Sequence, residues 1–506
     1  MQILRDGGTA IEAAVATAAC LAVVYPHMTA IGGDGFWLIS EPGTGPIAID
    51  ACGVSGASVN AALYEQHGLT SVPQRGPLAA NTVAGTVSGW ETALRISDRW
   101  QKQLPLSRVL RDAIDYAEGG FPVTRSQVEL TAAKLPELSS RSGFADTFLA
   151  EGRVPAEGDI MRLKPLGRTL KQLADEGLDS FYRGKLSRAI ATDLSEVGSP
   201  MTLDDLETYR PLLRSPLEVE VTGARLFNMP PPTQGLSSLM ILALFDRLGV
   251  RIPNGFDHIH GIVEATKQAF LVRDREICDP SFMQTNASAF LCNGVLDDLA
   301  SRIDPHTAAP WPAEPSSGDT VWIGVIDQEA RAVSLIQSIF FEFGSGIVLP
   351  NTGINWQNRG CSFSISQKTR NPIRARVRPF HTLNPAMAYF HDGRSMVYGT
   401  MGGEGQPQTQ AALFSRYAWL GAKLQESITA PRWLLGRTWG DVTTTLKLED
   451  RFAPEVIAAL RAAGHEVEIV PAFTSMMGHA GAIVRHPNGV LEGAADPRSD
   501  GAVAAW

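Results

Sequence analysis

Residues 319–339 read DTVWIGVIDQEARAVSLIQSI. Apolar and polar residues alternate with period two over 320–327 and again over 332–339, about a polar link at 328–331, the pattern of a β-hairpin. The stretch just upstream, residues 305–318 (PHTAAPWPAEPSSG), holds four prolines and three serine or threonine residues, a loop or linker signature. Thr320 therefore opens a strand directly after an irregular segment. If the chain were cut before it, Thr320 would carry a free α-amine beside its own hydroxyl. A threonine hydroxyl needs an adjacent base to act as a nucleophile, and an N-terminal amine is one way to supply it. With an unperturbed pKa of about 7.7–8.0, that amine can take a proton near neutrality. Strand-opening threonines are structural far more often than catalytic, so spacing alone makes Thr320 a candidate and no more.

Outward from the hairpin, the second half is strand-rich and the first mostly helical. Further strands are expected at 387–390, 396–399, 466–470 and 482–484, with helices at 407–420 and 453–463. In the first half, 36–39 and 46–49 read as a hairpin, and 217–221 and 224–228 as a strand pair around Gly223. Helices are expected at 107–119, 165–177, 236–248 and 258–274, the third entered through the stiff loop Met229-Pro230-Pro231-Pro232-Thr233-Gln234-Gly235. Residues 10–24 (AIEAAVATAACLAVV) follow Thr9, and Glu12 completes a capping-box pattern. A core helix so near Met1 suggests an upstream strand outside this numbering, or a late start codon. The tail SDGAVAAW reads as short and ordered.

Composition narrows the functional classes. The chain has 506 residues, a formal net charge of -9 and 19% charged residues, ordinary for a soluble globular protein. Mild acidity argues against a nucleic-acid partner, which favours a basic stripe. The five cysteines, at 20, 52, 278, 292 and 361, form no C-x-x-C and no disulfide framework, which fits a reducing compartment. No targeting start is visible, and the longest apolar stretch, 13–24, is too short to span a bilayer. The expectation is a soluble, cytoplasmic protein with no membrane partner.

Other chemistry is sparser. The run Gly399-Thr400-Met401-Gly402-Gly403-Glu404-Gly405 lies between a strand and a helix, where backbone N–H groups can converge on an oxyanion. It lacks the ending of a phosphate-binding loop. His258-x-His260 shows no third ligand at a helical offset and reads as a structural pair; His479 and His486 read the same way. Arg370, Arg374, Arg376 and Arg378 read as a solvated loop.

Several segments together resemble the gamma-glutamyltransferase family of N-terminal-nucleophile hydrolases: DGGTAIEAAVA, IGGDGFWL, PPPTQG, EATKQAF, DTVWIGVID, FGSGIVLPNTGINWQNRG, RPFHTLNPA and GTMGGEGQPQ. The resemblance implies an α+β fold, a four-layer αββα sandwich, made as one precursor that cuts itself. The cut falls between Asp319 and Thr320, giving a large subunit 1–319 and a small subunit 320–506. It further implies that Thr320 is the nucleophile, that Gly402 and Gly403 form the oxyanion hole, and that Ser338 stands where the family keeps a steadying threonine hydroxyl. No cofactor and no metal are implied.

The departures from that family bear on substrate. The arginine that grips a glutamyl α-carboxylate is replaced at Cys52, within Ile49-Asp50-Ala51-Cys52-Gly53. The acid that receives the α-amine aligns with Ser362, and the paired serines become His381 and Thr382. A thiol does not replace a bidentate arginine–carboxylate contact, so the glutamyl clamp is largely lost. Segments such as VYPHMTAIGGDGFWLI, GLDSFYRG and PRWLLGRTWG are most similar to the bacterial oxamate-hydrolysing branch of the family. That similarity implies hydrolysis of a small anionic amide, oxamate, to oxalate and ammonia in purine (allantoin) nitrogen salvage. Arg359 is the candidate partner for the substrate carboxylate, with His381 and Thr382 beside it; the alternative is that Arg359 pairs with Glu342 or Glu404. Rival readings are a gamma-glutamyl hydrolase or transferase, another acylase, or an uncleaved anion-binding protein. Expected partners are the substrate and the chain's own two pieces, with a further oligomer left open.

Overall fold

The computed structural model describes residues 1–100, 103–311, 319–436 and 443–505. Residues 312–318 of the proline-rich link and the final Trp506 thus lie outside the described residues, while 305–311 run without helix or strand.

Two mixed-origin antiparallel sheets face each other. The first orders its strands Leu212–Arg214, Ile47–Ala51, Asp34–Ser40, Ala332–Phe340 and Asp319–Ile326, the last at an edge. The second runs Leu491–Ala495, Gly481–Arg485, Ser395–Gly399, Ala386–Phe390, Ala224–Asn228 and Leu217–Val221. Period-two alternation sorts the side chains into layers. Phe36, Leu38, Ala48, Phe227, Ile336, Met387 and Val397 fill the space between the sheets. Trp37, Ile39, Ile49, Val333 and Leu335 turn outward against helices Ala10–Val24, Thr86–Ser97 and Leu106–Gly119. On the other side Leu226, Ala386, Ala388, Met396 and Tyr398 meet helices Gly235–Arg247, Phe256–Glu276 and Gln406–Ala418. Three apolar layers between four structural ones make this the αββα sandwich.

Each sheet takes strands from both sides of the Asp319–Thr320 link. Asp34–Ser40 pairs with Ala332–Phe340, and Ala224–Asn228 pairs with Ala386–Phe390. The capping box at Thr9 and Glu12 is formed, and Ile11, Ala14, Val15, Ala18 and Ala19 are fully buried. The strand pair around Gly223 falls on 217–221 and 224–228, with Gly223 at φ 79° in the left-handed region its tight turn requires. Among the described residues six strands escaped the sequence reading: Phe121–Pro122, Ile160–Met161, Leu212–Arg214, Trp433–Leu435, Leu446–Glu449 and Leu491–Ala495. The first four have two or three residues each, too few for alternation to register. Among the described residues no helix is long and apolar enough to cross a membrane.

Candidate active site

Thr320 is the second residue of the edge strand and is buried. Asp319 pairs with Phe340 but Val321 pairs with Gln337, so Ser338 and Ile339 both lie opposite Thr320. Such a bulge re-aims a side chain and ends regular pairing. Ser338 Oγ accepts the Phe340 N–H at 2.8 Å, and Phe340 itself holds φ 79°, strained for a bulky residue. On the Thr320 hydroxyl, Gln406 Nε2 approaches Oγ1 at 3.4 Å. Gln406 opens helix Gln406–Ala418, and its Oε1 accepts the Asn384 N–H at 3.3 Å.

The glycine turn sits just before that helix. Gly402 (φ 115°) and Gly403 (φ 51°) both occupy the left-handed region, where a side chain would be strained. Gln234, from the stiff proline loop, donates to Gly403 O at 2.7 Å and to Thr382 O at 2.8 Å. Its Oε1 accepts from Arg273 Nη1 at 3.1 Å, and Arg273 pairs with Glu404 at 3.1 Å. One amide thus ties the glycine turn to the segment bearing His381 and Thr382.

Arg359 is fully buried and lies over the Phe340 ring, 3.5 Å from its centroid. Its Nη2 donates to Thr382 Oγ1 at 2.9 Å and its Nη1 to Phe380 O at 3.4 Å, while Nε has no hydrogen-bond partner among the described residues. The expected structural partners are taken by other cations. Glu342 lies 3.8 Å from Arg75 and 3.7 Å from Lys134, and Glu404 belongs to Arg273. Burial pushes the Arg359 guanidinium down to about 10, opposed by Asp34 and then by two cysteines.

Asp34, read in the sequence only as part of a glycine turn, proves central. Its Oδ1 accepts the Gly53 N–H at 2.9 Å, the Gly85 N–H at 3.2 Å and Gln357 Nε2 at 3.0 Å. Burial still raises its carboxyl to about 7, against those donors and the field of Arg359. His381 Nε2 lies 3.2 Å from Asp34 Oδ2, while His381 Nδ1 faces the Leu383 N–H at 3.4 Å. Nδ1 therefore accepts and Nε2 carries the proton. Burial and then Arg359 hold this imidazole well below its usual pKa, so it is neutral. Cys52 lies beside both; burial, then Asp34 and Asp50, keep its thiol protonated. One ligand atom from each of Asp34, Cys52 and His381 lies within 4.8 Å of the others.

His260 does have an acid at a helical offset, contrary to the sequence expectation: Glu264 and the distant His465 converge on it. His479 lines a cavity of about 820 Å3 that follows the edge strand from Thr320 to Gln328, along with Tyr25, Met401 and residues 499–505 of the tail. The arginine run divides. Arg374 and Arg376 are exposed, whereas Arg370 donates to the carbonyls of Arg273 and Ile277, and Arg378 lies 3.4 Å from Asp50.

The Gamma-glutamyltranspeptidase family model matches residues 1–506. The chain is 54% identical to an oxamate amidohydrolase proenzyme of Klebsiella pneumoniae, covering 100% of this chain and 96% of that one. It is 40% identical to the glutathione hydrolase-like YwrD proenzyme of Bacillus subtilis, covering 99% and 95%. Among solved structures, a cephalosporin acylase from Bacillus halodurans superposes with a TM-score of 0.91 at 31% identity, covering 100% and 93%. The fold, the glycine turn leading into the helix whose Gln406 reaches Thr320, and a family match along the whole length agree: the chain belongs to the gamma-glutamyltranspeptidase family of N-terminal-nucleophile hydrolases.

Proposed function

We propose that this chain cuts itself between Asp319 and Thr320 into pieces 1–319 and 320–506, and then hydrolyses oxamate to oxalate and ammonia. In the precursor, Thr320 Oγ attacks the Asp319 carbonyl, the peptide C–N bond breaks to free the Thr320 amine and leave an ester, and water hydrolyses that ester to the Asp319 carboxylate and the Thr320 hydroxyl. In the cut enzyme that amine takes the Oγ proton as Oγ attacks the amide carbon of oxamate. The N–H groups of Gly402 and Gly403 receive the oxyanion; losing one such donor costs ~3–4 kcal/mol of barrier in comparable sites. Ammonia leaves with the returned proton, an oxalyl ester remains on Thr320, and water frees oxalate. Ser338, opposite the bulge, steadies the nucleophile. Purine nitrogen salvage in the cytoplasm is the setting this reaction fits.

The observation that carries the substrate reading is Arg359, a buried guanidinium with one nitrogen that has no hydrogen-bond partner among the described residues. Oxamate has its carboxylate one bond from the scissile carbonyl, so its cation must stand next to Thr320. Arg359 rests on Phe340, the residue paired with Asp319. Thr382 and His381 frame the same spot, and neutral Cys52 offers no second cation for a glutamyl head. The 54% identity to a protein named for this reaction points the same way.

A bulkier acyl substrate is the second reading, favoured by the roughly 820 Å3 cavity beside Thr320. One matched assay separates the two: ammonia release from oxamate against product release from a gamma-glutamyl anilide and from a bulky amide. Oxamate turnover at least about tenfold above the others is expected, and the reverse order would overturn the oxamate reading. Thr320→Ala is expected to remain a single, inactive chain on a denaturing gel.

A further inference from the structure

Outside the site, a second buried polar cluster joins helix Phe256–Glu276 to His465, just beyond helix Pro454–Ala462. Lys267 Nζ donates to Glu264 Oε1 at 2.7 Å and to Ala309 O at 2.6 Å. Glu264 Oε2 accepts the Ala309 N–H at 3.1 Å. His260 Nε2 donates to Asp304 O at 2.8 Å, and His260 Nδ1 faces His465 Nε2 at 2.9 Å. The Ala308 N–H reaches Ala463 O at 2.8 Å, and the Trp311 ring stands 6.2 Å from that of Phe270.

The cluster satisfies itself without an ion. A carbonyl only accepts, so His260 Nε2 carries its proton and Nδ1 accepts from His465 Nε2–H. His465 Nε2 is thus a donor rather than a free lone pair, and burial, then Lys267 and His260, push its pKa to about 3. Lys267 already supplies the cation that Glu264 needs; Lys267 and Glu264 side chains are both almost wholly buried. What the cluster grips is backbone, Asp304 and Ala309, with Ala463 O holding Ala308 beside them, in the stretch that leads to Thr320.

We infer that the His260–Glu264–Lys267–His465 cluster is a clamp on the end of the large piece, positioning the chain upstream of Thr320 for self-cleavage. The inference rests on cleavage before Thr320. Trp311 is the last described residue before Asp319, about eight positions upstream of it; without the clamp the next anchored element is the helix ending at Ser301, and that spacing roughly doubles. Loop-closure entropy then lowers the fraction of time the link is presented, by about threefold per doubling. These are positioning residues, because they touch neither substrate nor the reacting atoms. Two of the gripping groups, Ala463 O and His465, belong to residues after 320, so the clamp would keep the end of the large piece docked after the cut.

The test follows maturation of freshly translated precursor on a denaturing gel. Lys267→Met/Glu264→Gln removes both charges together and leaves no orphan ion; Trp311→Ala loosens the same segment without touching a buried charge. Both are expected to slow maturation at least about threefold, while the matured fraction keeps wild-type kcat, KM and melting temperature. Wild-type maturation rates in both variants would overturn the clamp. So would losses in maturation, kcat and melting temperature that move together, because those mark a merely structural cluster. Stabilisation by added zinc that His465→Ala abolishes would overturn it in favour of a metal site. Thr320→Ala run alongside keeps the two ideas apart: if it is still cut at the same bond, the cleavage reading fails, whatever the clamp variants do.

Discussion

Arg498 and Arg359 are both fully buried, but their surroundings differ. Arg498 meets Glu449 through two contacts of 2.6 Å each and Asp496 at 3.1 Å, and Arg432 closes the group on Asp496 at 2.5 Å. Burial alone would lower the Arg498 pKa, yet Glu449 and Asp496 raise it. Arg359 has a ring, a hydroxyl and a carbonyl, and its nearest acid influence, Asp34, titrates at about 7. A guanidinium enclosed by carboxylates is part of the scaffold, because each ion repays the other's desolvation. One held without such an enclosure can meet an anion that arrives, the role proposed for Arg359. Arg416, also buried, shows why enclosure must be judged by element: it closes the last turn of helix Gln406–Ala418, where a cation suits the helix end, and it donates to Asn254 and Pro431 O.

The largest expected effect tests the scaffold side of this contrast. Arg498→Met leaves Glu449 and Asp496 short of their counter-ion in the interior and is expected to cost about 3–5 kcal/mol of stability, read as a fall in denaturant midpoint. Arg359→Met is expected to leave the midpoint nearly unchanged, since it removes a buried charge that lacks a bonded carboxylate. The same change raises KM for oxamate by about 30- to 100-fold, in keeping with ~2–3 kcal/mol for hydrogen bonds to a charged group, and leaves self-cleavage intact. A large stability loss with normal KM would place Arg359 with Arg498 and erase the distinction.

The smallest effect concerns pH. Folding raises the Asp34 pKa from 3.8 to about 7, so the folded chain holds a proton that the unfolded chain releases. Asp34 therefore withdraws stability as pH climbs from about 4 to about 7, and the loss is complete above that. An anionic substrate beside Arg359 favours protonated Asp34. KM for oxamate is accordingly expected to rise a few-fold between about pH 7 and 9, and Asp34→Asn is expected to flatten that rise. A slope that survives Asp34→Asn would assign the titration elsewhere.

Local pattern made much of this molecule legible. Alternation located the 319–340 hairpin to within a residue at each end, and Gly223 marked the turn of the 217–228 strand pair, because period and turn chemistry act over a few neighbours. Motifs singled out Thr320, the glycine turn and Arg359 as candidates. What remained hidden depends on closure across the fold. Asp34 sits in a glycine-rich turn that alone suggests only backbone freedom; its role appears once Gly53, Gly85 and Gln357 are brought onto it. His465 reaches His260 across 205 residues, beyond any spacing rule. The alternative partners for Arg359, Glu342 and Glu404, could not be judged from sequence for a related reason: Arg75, Lys134 and Arg273 reach them in space.

The interleaving of strands from both sides of residue 319 would make the proposed maturation a one-way commitment. In the precursor, Asp34–Ser40 and Ala332–Phe340 find each other as parts of one chain, with the millimolar effective concentration a tether provides. Cutting before Thr320 would discard that tether while leaving both sheets whole. A mature molecule that unfolds would then face a bimolecular search between two pieces, each holding only some of the strands of either sheet. Its durability would be governed by how slowly it opens rather than by how well it refolds. The cut would thus act as a seal applied only to chains that have already folded correctly, since only they bring Thr320 to its bulge.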